Sequence, residues 1–294
     1  MSEPRMPSYG GQAVIEGVMM RGSGAVAIAM RAPDSQLVVH TESLSGIYKS
    51  KITRIPFLRG LVMLWDALGL GMRALTISAN VQTDEEQKLE GPALYLTLGV
   101  SLLLGVGLFF LLPAFVGQLS ERFLGINSWW GNLAEGVLRL LLLVGYIWLV
   151  GRIPDIRRVF AYHGAEHKTI NAFEGGAELT PEVVATYPLE HPRCGTSFLL
   201  TLVLLSVLFF SLLGPMPMFW RLASRIIFLP VLAGVAYEYI RWTANHLESR
   251  WVRWMIRPNL ALQRLTTREP SLDMLEVSIA AFNTMRRNET QVSL

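Results

Sequence analysis

Four long apolar runs constrain the fold of this chain more than any other feature of its sequence. Residues 93–116 hold no charged side chain over 24 positions, and residues 196–214 form a second uncharged run. Residues 133–150 and 222–240 are also apolar, but they contain four charged residues, Glu135, Arg139, Arg225 and Glu238. A helix of about 20 apolar residues crosses the ~30 Å hydrocarbon core of a bilayer. We therefore predict a mainly α, polytopic membrane protein with about four transmembrane helices.

The distribution of positive charge predicts the orientation of these helices. Residues 1–92 carry nine Lys and Arg, residues 151–195 carry five, and residues 241–294 carry eight. The two remaining loops hold only Arg122 and Arg221. Because positively charged loops stay on the cytoplasmic side of a membrane, we expect both termini and the loop 151–195 in the cytoplasm. The lipid bilayer is the first partner that this pattern implies.

The segment before the first apolar run has the signals of a small β-structure. Residues 25–31 and 36–41 are β-prone, and the turn-forming residues 32–35 join them, so we predict a β-hairpin. The glycine-dense residues 10–22 predict a short strand with tight turns. Glu16 and Arg21 are the charged residues of that stretch, and we expect them to be a solvated pair in a loop.

Three further helices are predicted outside the spans. Residues 57–79 are apolar except for three charged residues at intervals of seven, which are Arg59, Asp66 and Arg73. Such a narrow polar stripe predicts an amphipathic helix that lies at the membrane surface or on the spans. Residues 249–257 resemble a second interfacial segment, and residues 271–285 have the apolar periodicity of a soluble terminal helix.

These segments divide the chain into six predicted regions. They are a cytoplasmic N-terminal β-hairpin region (1–56), an interfacial amphipathic helix with a linker (57–92), a first transmembrane hairpin (93–150), a cytoplasmic His/Cys loop (151–195), a second transmembrane hairpin (196–240) and cytoplasmic C-terminal helices (241–294).

Histidines and the single cysteine are concentrated in the loop between the two hairpins. His163 and His167 lie four residues apart, so on a helix they project from one face. His191 and Cys194 follow from a separate segment. Imidazole together with thiolate is the ligand set that favours zinc, so these four residues are the candidate ligands of a zinc site. The alternative is a hydrogen-bonded polar cluster without a metal.

Two carboxylates lie close to these ligands in the sequence. Glu166 directly precedes His167 and is offset around the helix, where it could accept a ring N–H or act on a bound water. Glu174 lies on the face of His163 but about 16 Å further along the helix axis, so it cannot share the ion. Gly175 and Gly176 predict that the helix ends directly after Glu174.

Four blocks of the sequence resemble a known family. Residues 10–22, 162–168, 191–198 and 265–270 together resemble the YqhQ-like family of bacterial inner-membrane proteins. The resemblance covers nearly the whole chain and implies a location in the bacterial cytoplasmic membrane. It implies little about activity, because the family is defined by a domain of unknown function. Its members have at times been described as predicted metal-dependent enzymes.

Two function classes agree with these observations. In the first, His163, His167, His191 and Cys194 close a structural metal site in a membrane scaffold or assembly factor, with a membrane protein or a second copy as partner. In the second, three ligands leave one position open for water, and Glu166 is the general base of a membrane-embedded zinc hydrolase. The scaffold is favoured because four N/S candidates are present.

Transport and nucleic-acid binding are less favoured. The four charges in the apolar runs lie within about two turns of a predicted span end, where arginine can extend to the lipid headgroups. No span therefore has an ionisable residue near its middle of the kind that marks a substrate path. The formal net charge of +3 comes from the cytoplasmic segments, and no dense basic run indicates a nucleic-acid partner.

The predicted orientation can be tested by cysteine labelling from the outer side of the membrane. Because positive charge is nearly absent from two loops, cysteines near Asn127 or Met216 should react with an impermeant maleimide. Cysteines near Ser35, Gly176 or Asn283 should react only after the membrane is permeabilised. Labelling at Gly176 in intact cells would reverse the orientation and move the His/Cys loop outside.

Overall fold

The computed structural model describes residues 9–44, 55–83 and 91–292. Its first part is a four-stranded antiparallel sheet whose strands lie side by side in chain order. The strands are β1 (Gly10–Val14), β2 (Gly17–Arg21), β3 (Ala25–Arg31) and β4 (Leu37–Ser43). The pairing of β3 with β4 confirms the predicted hairpin, and the Ser35 N–H closes its turn on the Ala32 carbonyl at 2.9 Å. The glycine-dense segment forms two strands rather than one.

The rest of the described chain is helical. Its α-helices are α1 (Leu58–Val81), α2 (Gly91–Val106), α3 (Leu112–Leu124), α4 (Ser128–Val150), α5 (Pro154–Glu174), α6 (Pro181–Val184), α7 (Gly195–Ser211), α8 (Met218–Ile227), α9 (Leu229–Ala244), α10 (Arg250–Met255), α11 (Arg257–Thr266) and α12 (Leu272–Val292). A π-helical segment, Gly107–Leu111, joins α2 to α3.

Several of these helices could cross a membrane. Among the described residues, three stretches are long and apolar enough, namely α1, Tyr95–Leu124 and α4. The number is four if α8 and α9, which are bent by 40° at their junction, form one span. The apolar α7 has 17 residues and is shorter. The predicted runs thus correspond to Tyr95–Leu124, α4, α7 and the bent pair, which agrees with a mainly helical chain.

Helix α1 combines features of a span and of a surface helix. It has 24 residues, and an 18-residue window within it has a mean hydropathy of 1.4, so it is long and apolar enough to cross a membrane. Its first half packs on α9, where a Cβ at Gly60 would lie 2.9 Å from Tyr237. Its second half packs on the sheet, where Ala74 is fully buried. All three of its charged residues are in ion pairs, namely Arg59–Glu238, Asp66–Arg21 and Arg73–Glu42.

A buried ion cluster connects α4 and α8, and Glu121 of α3 joins it through an ion pair with Arg221. Glu135 is at its centre and accepts hydrogen bonds from Arg139 at 2.8 Å, Arg225 at 2.7 Å and Arg221 at 3.3 Å. Asn132 accepts further bonds from Arg221 and Arg225. Glu135, Arg139 and Arg225 are each 1% exposed. Because a buried charge is tolerated only when it is paired, this cluster determines how α4 and α8 pack.

The expectation that these arginines reach the lipid headgroups is wrong. Helix α4 begins at Ser128, earlier than the predicted run, because the Asn127 side chain accepts a hydrogen bond from the Trp130 N–H at 3.1 Å and caps it. Arg139 therefore lies 11 residues from either end of α4. Its Nε donates to the Phe109 carbonyl at 2.9 Å, and Phe109 belongs to the π-helical segment. The buried arginines thus face other helices.

Helices cover both faces of the sheet. On one face, Val18, Met20 and Ala27 pack against α5 and α12, where Tyr162 and Phe282 are buried. The other face packs against α1. The predicted terminal helix is confirmed as α12, which continues to Val292, and α10 lies within the predicted interfacial segment. We call the sheet together with α5 and α12 the sheet layer.

The ion cluster gives a prediction for stability. Glu135→Gln leaves three buried arginines without their shared carboxylate, so it should lower the free energy of unfolding by about 3–5 kcal/mol. Thermal unfolding of the purified protein in detergent measures this loss. The matched change Glu248→Gln, at an exposed position, should lower the free energy by less than about 0.5 kcal/mol. Similar losses in both variants would show that the cluster does not hold the helices together.

Candidate metal centre

Helix α5 positions the two central histidines. Pro154 and Asp155 occupy its first turn, as is typical of a helix N-terminus, and the helix ends at Glu174, as predicted. Gly176 follows with φ of 71°, a left-handed conformation that glycine adopts without strain. Within this helix His163 and His167 lie one turn apart, and their ring centroids are separated by 4.4 Å.

Cys194 approaches these histidines from the beginning of α7. It is the N-cap residue of α7, and its Sγ accepts a hydrogen bond from the Thr196 N–H at 3.4 Å. The Sγ atom lies 3.3 Å from Nε2 of His163. One ligand atom from each of His163, His167 and Cys194 lies within 4.8 Å of the other two. Zinc binds nitrogen at about 2.0–2.1 Å and thiolate at about 2.3 Å, so small adjustments would bring all three donors onto one ion.

Backbone carbonyls fix the orientation of both imidazoles. Nδ1 of His163 donates to the Thr266 carbonyl at 2.9 Å, and Nδ1 of His167 donates to the Leu189 carbonyl at 2.5 Å. A neutral ring that carries its proton on Nδ1 offers Nε2 as a ligand, which is the arrangement that metal-binding histidines adopt. His167 is 1% exposed, and its Nε2 has no hydrogen-bond partner among the described residues.

His191 lies beside this group rather than within it. Its ring centroid is 5.7 Å from that of His167, and its Nε2 is 3.7 Å from Oε2 of Glu174. Its backbone N–H donates to the Gln263 side chain at 3.0 Å. Burial lowers the pKa of His191, while the carboxylate of Glu174 opposes that effect. The structure thus brings together three of the four predicted ligands, and ligation by His191 stays a prediction.

Glu174 has a role that its spacing did not reveal. It forms an ion pair with Arg193, and its Oε2 lies 3.7 Å from Nε2 of His191. Burial works to raise the pKa of Glu174, but the nearby His191 ring and the positive charge of Arg193 outweigh it and lower the pKa. The carboxylate at the end of α5 therefore holds the loop that carries His191 and Cys194.

Glu166 is buried on the side of α5 that faces the sheet. It is 5% exposed, and Oε2 has no hydrogen-bond partner among the described residues. Burial raises its pKa to about 7, although His163 and a hydrogen bond from the Gly11 N–H act in the opposite direction. A Cβ at Gly11 would lie 2.9 Å from Cγ of Glu166, so a glycine there allows β1 to approach the helix.

Glu16 and Arg21 do not form the predicted solvated pair. Glu16 binds both Nε and Nη2 of Arg158, and its Oε2 lies 3.4 Å from the Tyr162 hydroxyl. Arg21 forms an ion pair with Asp66 of α1 at 3.2 Å. The two residues therefore connect the sheet to α5 and to α1. Sequence spacing could not show this, because each partner is distant along the chain.

The fold and this site define a class of mainly helical proteins with apolar helices, an N-terminal antiparallel sheet and a His/His/Cys group between them. A family model described as "Protein of unknown function (DUF1385)" matches residues 55–288, and the chain belongs to this family. It is 34% identical to "Uncharacterized protein YqhQ" of Bacillus subtilis (strain 168), over 96% of this chain and 93% of that protein. This finding confirms the resemblance seen in the sequence. No solved structure matches the chain.

The reactivity of Cys194 tests whether the three donors hold a metal. If its thiolate is coordinated, the native protein should react slowly with iodoacetamide, and a chelator should accelerate the reaction at least tenfold. The extent of alkylation can be followed by mass spectrometry of the intact protein, because Cys194 is the only cysteine. Rapid alkylation that a chelator does not change would identify a free thiol.

Proposed function

We propose that this protein is an integral protein of the bacterial cytoplasmic membrane, with both termini in the cytoplasm, in which a zinc centre stabilises a membrane scaffold or assembly factor. The observation that carries this proposal is the convergence of His163, His167 and Cys194, whose ligand atoms lie within 4.8 Å of one another. Two imidazoles and one thiolate are donors that favour zinc over magnesium or calcium.

The position of the three donors supports a structural role for the metal. Two donors belong to α5, which packs on β1, β2 and α12, and the third precedes α7, which packs on α4, α9 and α11. A metal held by all three would therefore connect the sheet layer to the apolar helices. A cross-link of this kind restricts the unfolded chain and stabilises the folded one, so metal binding and folding would be coupled.

The burial of the site supports the same role. His167 is 1% and Cys194 is 7% exposed, and the carbonyl groups of Thr266 and Leu189 fix both histidine rings. His191 is next to His167 and is 3% exposed, so a small rotation of its ring could supply a fourth ligand. Four protein ligands and little access to water are typical of structural zinc sites. The rigid junction would then present the sheet layer to a membrane-protein partner or to a second copy.

A second candidate function is that of a membrane-embedded zinc hydrolase. The specific observation that favours it is Glu166, which is buried beside His163 and has one carboxylate oxygen without a hydrogen-bond partner among the described residues. Three protein ligands leave the fourth position of a tetrahedral zinc ion to water, and a carboxylate close to that water can act as the general base.

Four variants distinguish the two functions. His163→Ala, His167→Ala and Cys194→Ser should each lose most of the zinc and lower both the thermal midpoint and the protein abundance in cells, because the cross-link is lost. Glu166→Gln should keep about one zinc per chain and a thermal midpoint close to wild type, since Glu166 is not a ligand. Zinc content can be measured by mass spectrometry of the purified protein and abundance by immunoblotting.

The control variant is His40→Ala, at an exposed histidine outside the site. It should keep both zinc content and abundance. A hydrolase would be indicated if Glu166→Gln kept zinc and abundance but failed to complement a strain that lacks the protein. Equal zinc content and equal abundance in all the variants would show that there is no metal centre, and both functions would then be rejected.

A further inference from the structure

A cavity of about 470 Å³ lies between the first turns of α5 and the loop that joins α11 to α12. Its volume is within the usual range for small-ligand sites, about 300–1,000 Å³. Four of its lining side chains carry charge, namely Arg157, Arg158, Arg268 and Glu269. We call it the arginine cavity. It does not contain the three candidate metal ligands.

The arginine cavity has an excess of positive charge. Arg158 forms an ion pair with Glu16, and Glu269 forms one with Lys168 at 2.5 Å, so these two lining charges are compensated. Among the described residues, the Arg268 guanidinium group donates only to the backbone carbonyl groups of Arg264 and Thr267, at 2.9 Å each. The Arg157 guanidinium group forms no hydrogen bond or ion pair within the described part of the chain. Two guanidinium groups are therefore left without a carboxylate partner.

The cavity lies at the level where the apolar helices end. Helix α5 starts at Pro154, shortly after α4 ends at Val150, and in between Arg152 stacks over Trp148 with its Cζ 3.7 Å from the ring centroid. Further along α5, His163 contacts Cys194, directly before α7 begins. The first three turns of α5 are thus tied to the ends of two apolar helices. In a membrane these turns would lie in the headgroup region of the cytoplasmic leaflet.

We propose that the arginine cavity binds the phosphate group of an anionic phospholipid headgroup from the cytoplasmic leaflet. This proposal rests on the membrane placement proposed above. Guanidinium groups match the geometry of phosphate oxygens and can donate two parallel hydrogen bonds to them. Basic pockets on the cytoplasmic side of membrane proteins bind such headgroups. Arg157 and Arg268 supply the uncompensated charge, and the lipid chains would extend along the adjacent apolar helices.

A bound headgroup would also contact the segment that orients one metal ligand. The Arg268 N–H donates to the Phe160 carbonyl at 2.9 Å, and Thr266, two residues earlier, accepts the hydrogen bond from His163. The cavity and the candidate metal centre therefore share the segment between α11 and α12. Lipid binding would fix this segment against α5 without adding a ligand to the metal.

Native mass spectrometry of the full chain in a neutral detergent tests the proposal. The protein should bind phosphatidylglycerol more tightly than phosphatidylcholine. The double variant Arg157→Gln/Arg268→Gln should weaken phosphatidylglycerol binding roughly thirtyfold, because two arginines are removed. The matched double variant Arg122→Gln/Arg287→Gln, at two exposed arginines outside this cavity, should weaken it by less than about threefold. Circular dichroism and the thermal midpoint establish that each variant is folded.

Three results would overturn the proposal. Equal losses in the two double variants would indicate attraction by the net charge alone, and equal binding of the two lipids would show no preference for an anionic headgroup. Displacement of bound phosphatidylglycerol by about 10 mM inorganic phosphate would identify a site for soluble phosphate. Zinc content, measured in the same samples, should stay at the wild-type level, so failure of this site is distinguishable from failure of the metal centre.

Discussion

The requirement that buried polar groups find partners separates two regions of this structure. Between the apolar helices, Glu135 binds three arginines, and other N–H groups of these arginines donate to Asn132, Ser206 and the Phe109 carbonyl. This network is saturated, so it is expected to stabilise one arrangement of the helices. On α5 and in the segment before α7, by contrast, Glu166 Oε2, His167 Nε2 and His191 Nε2 are buried without a hydrogen-bond partner among the described residues. Unpaired buried groups are costly unless something else binds them. His167 is one of the candidate metal ligands, and His191 lies beside it.

Helix α5 links the sheet to the beginning of α7 and to the end of α11. Gly11 of β1 approaches Glu166 closely, Cys194 meets His163 at the start of α7, and the Thr266 carbonyl orients His163 from the end of α11. A change in any of these contacts would move the donors relative to one another. The same helix forms one wall of the arginine cavity, so the proposed metal and lipid sites lie along a single rigid element. The proposed role as a membrane scaffold requires a rigid element of this kind.

Sequence patterns predicted the helices and strands better than they predicted how deeply charged side chains are buried or which residues they contact. The β3–β4 hairpin, the end of α5 at Glu174 and the terminal helix α12 were all predicted from turn residues, glycine pairs and periodicity. The depth of Arg139 was not predicted correctly. The cap at Asn127 lets α4 begin earlier in the chain, so this arginine lies in the middle of the helix. This correction also removes the reason for which transport was disfavoured, since ionisable residues do lie deep between the helices. Arg59, Asp66 and Arg73 suggested a polar stripe, whereas their partners lie on three other elements.

The amino-acid sequence by itself determined the apolar helices, the small sheet, the family and the residue types of the candidate centre, because composition, periodicity and short motifs are local properties. The pairing of His163 and His167 also followed from helix geometry alone. Only the tertiary structure decided that Cys194 joins them while His191 turns to Glu174, and that Glu16 and Arg21 bind Arg158 and Asp66. These contacts depend on how helices and strands that are distant in the chain pack against one another. Packing determines which side chains come within bonding distance, whereas spacing along the sequence does not.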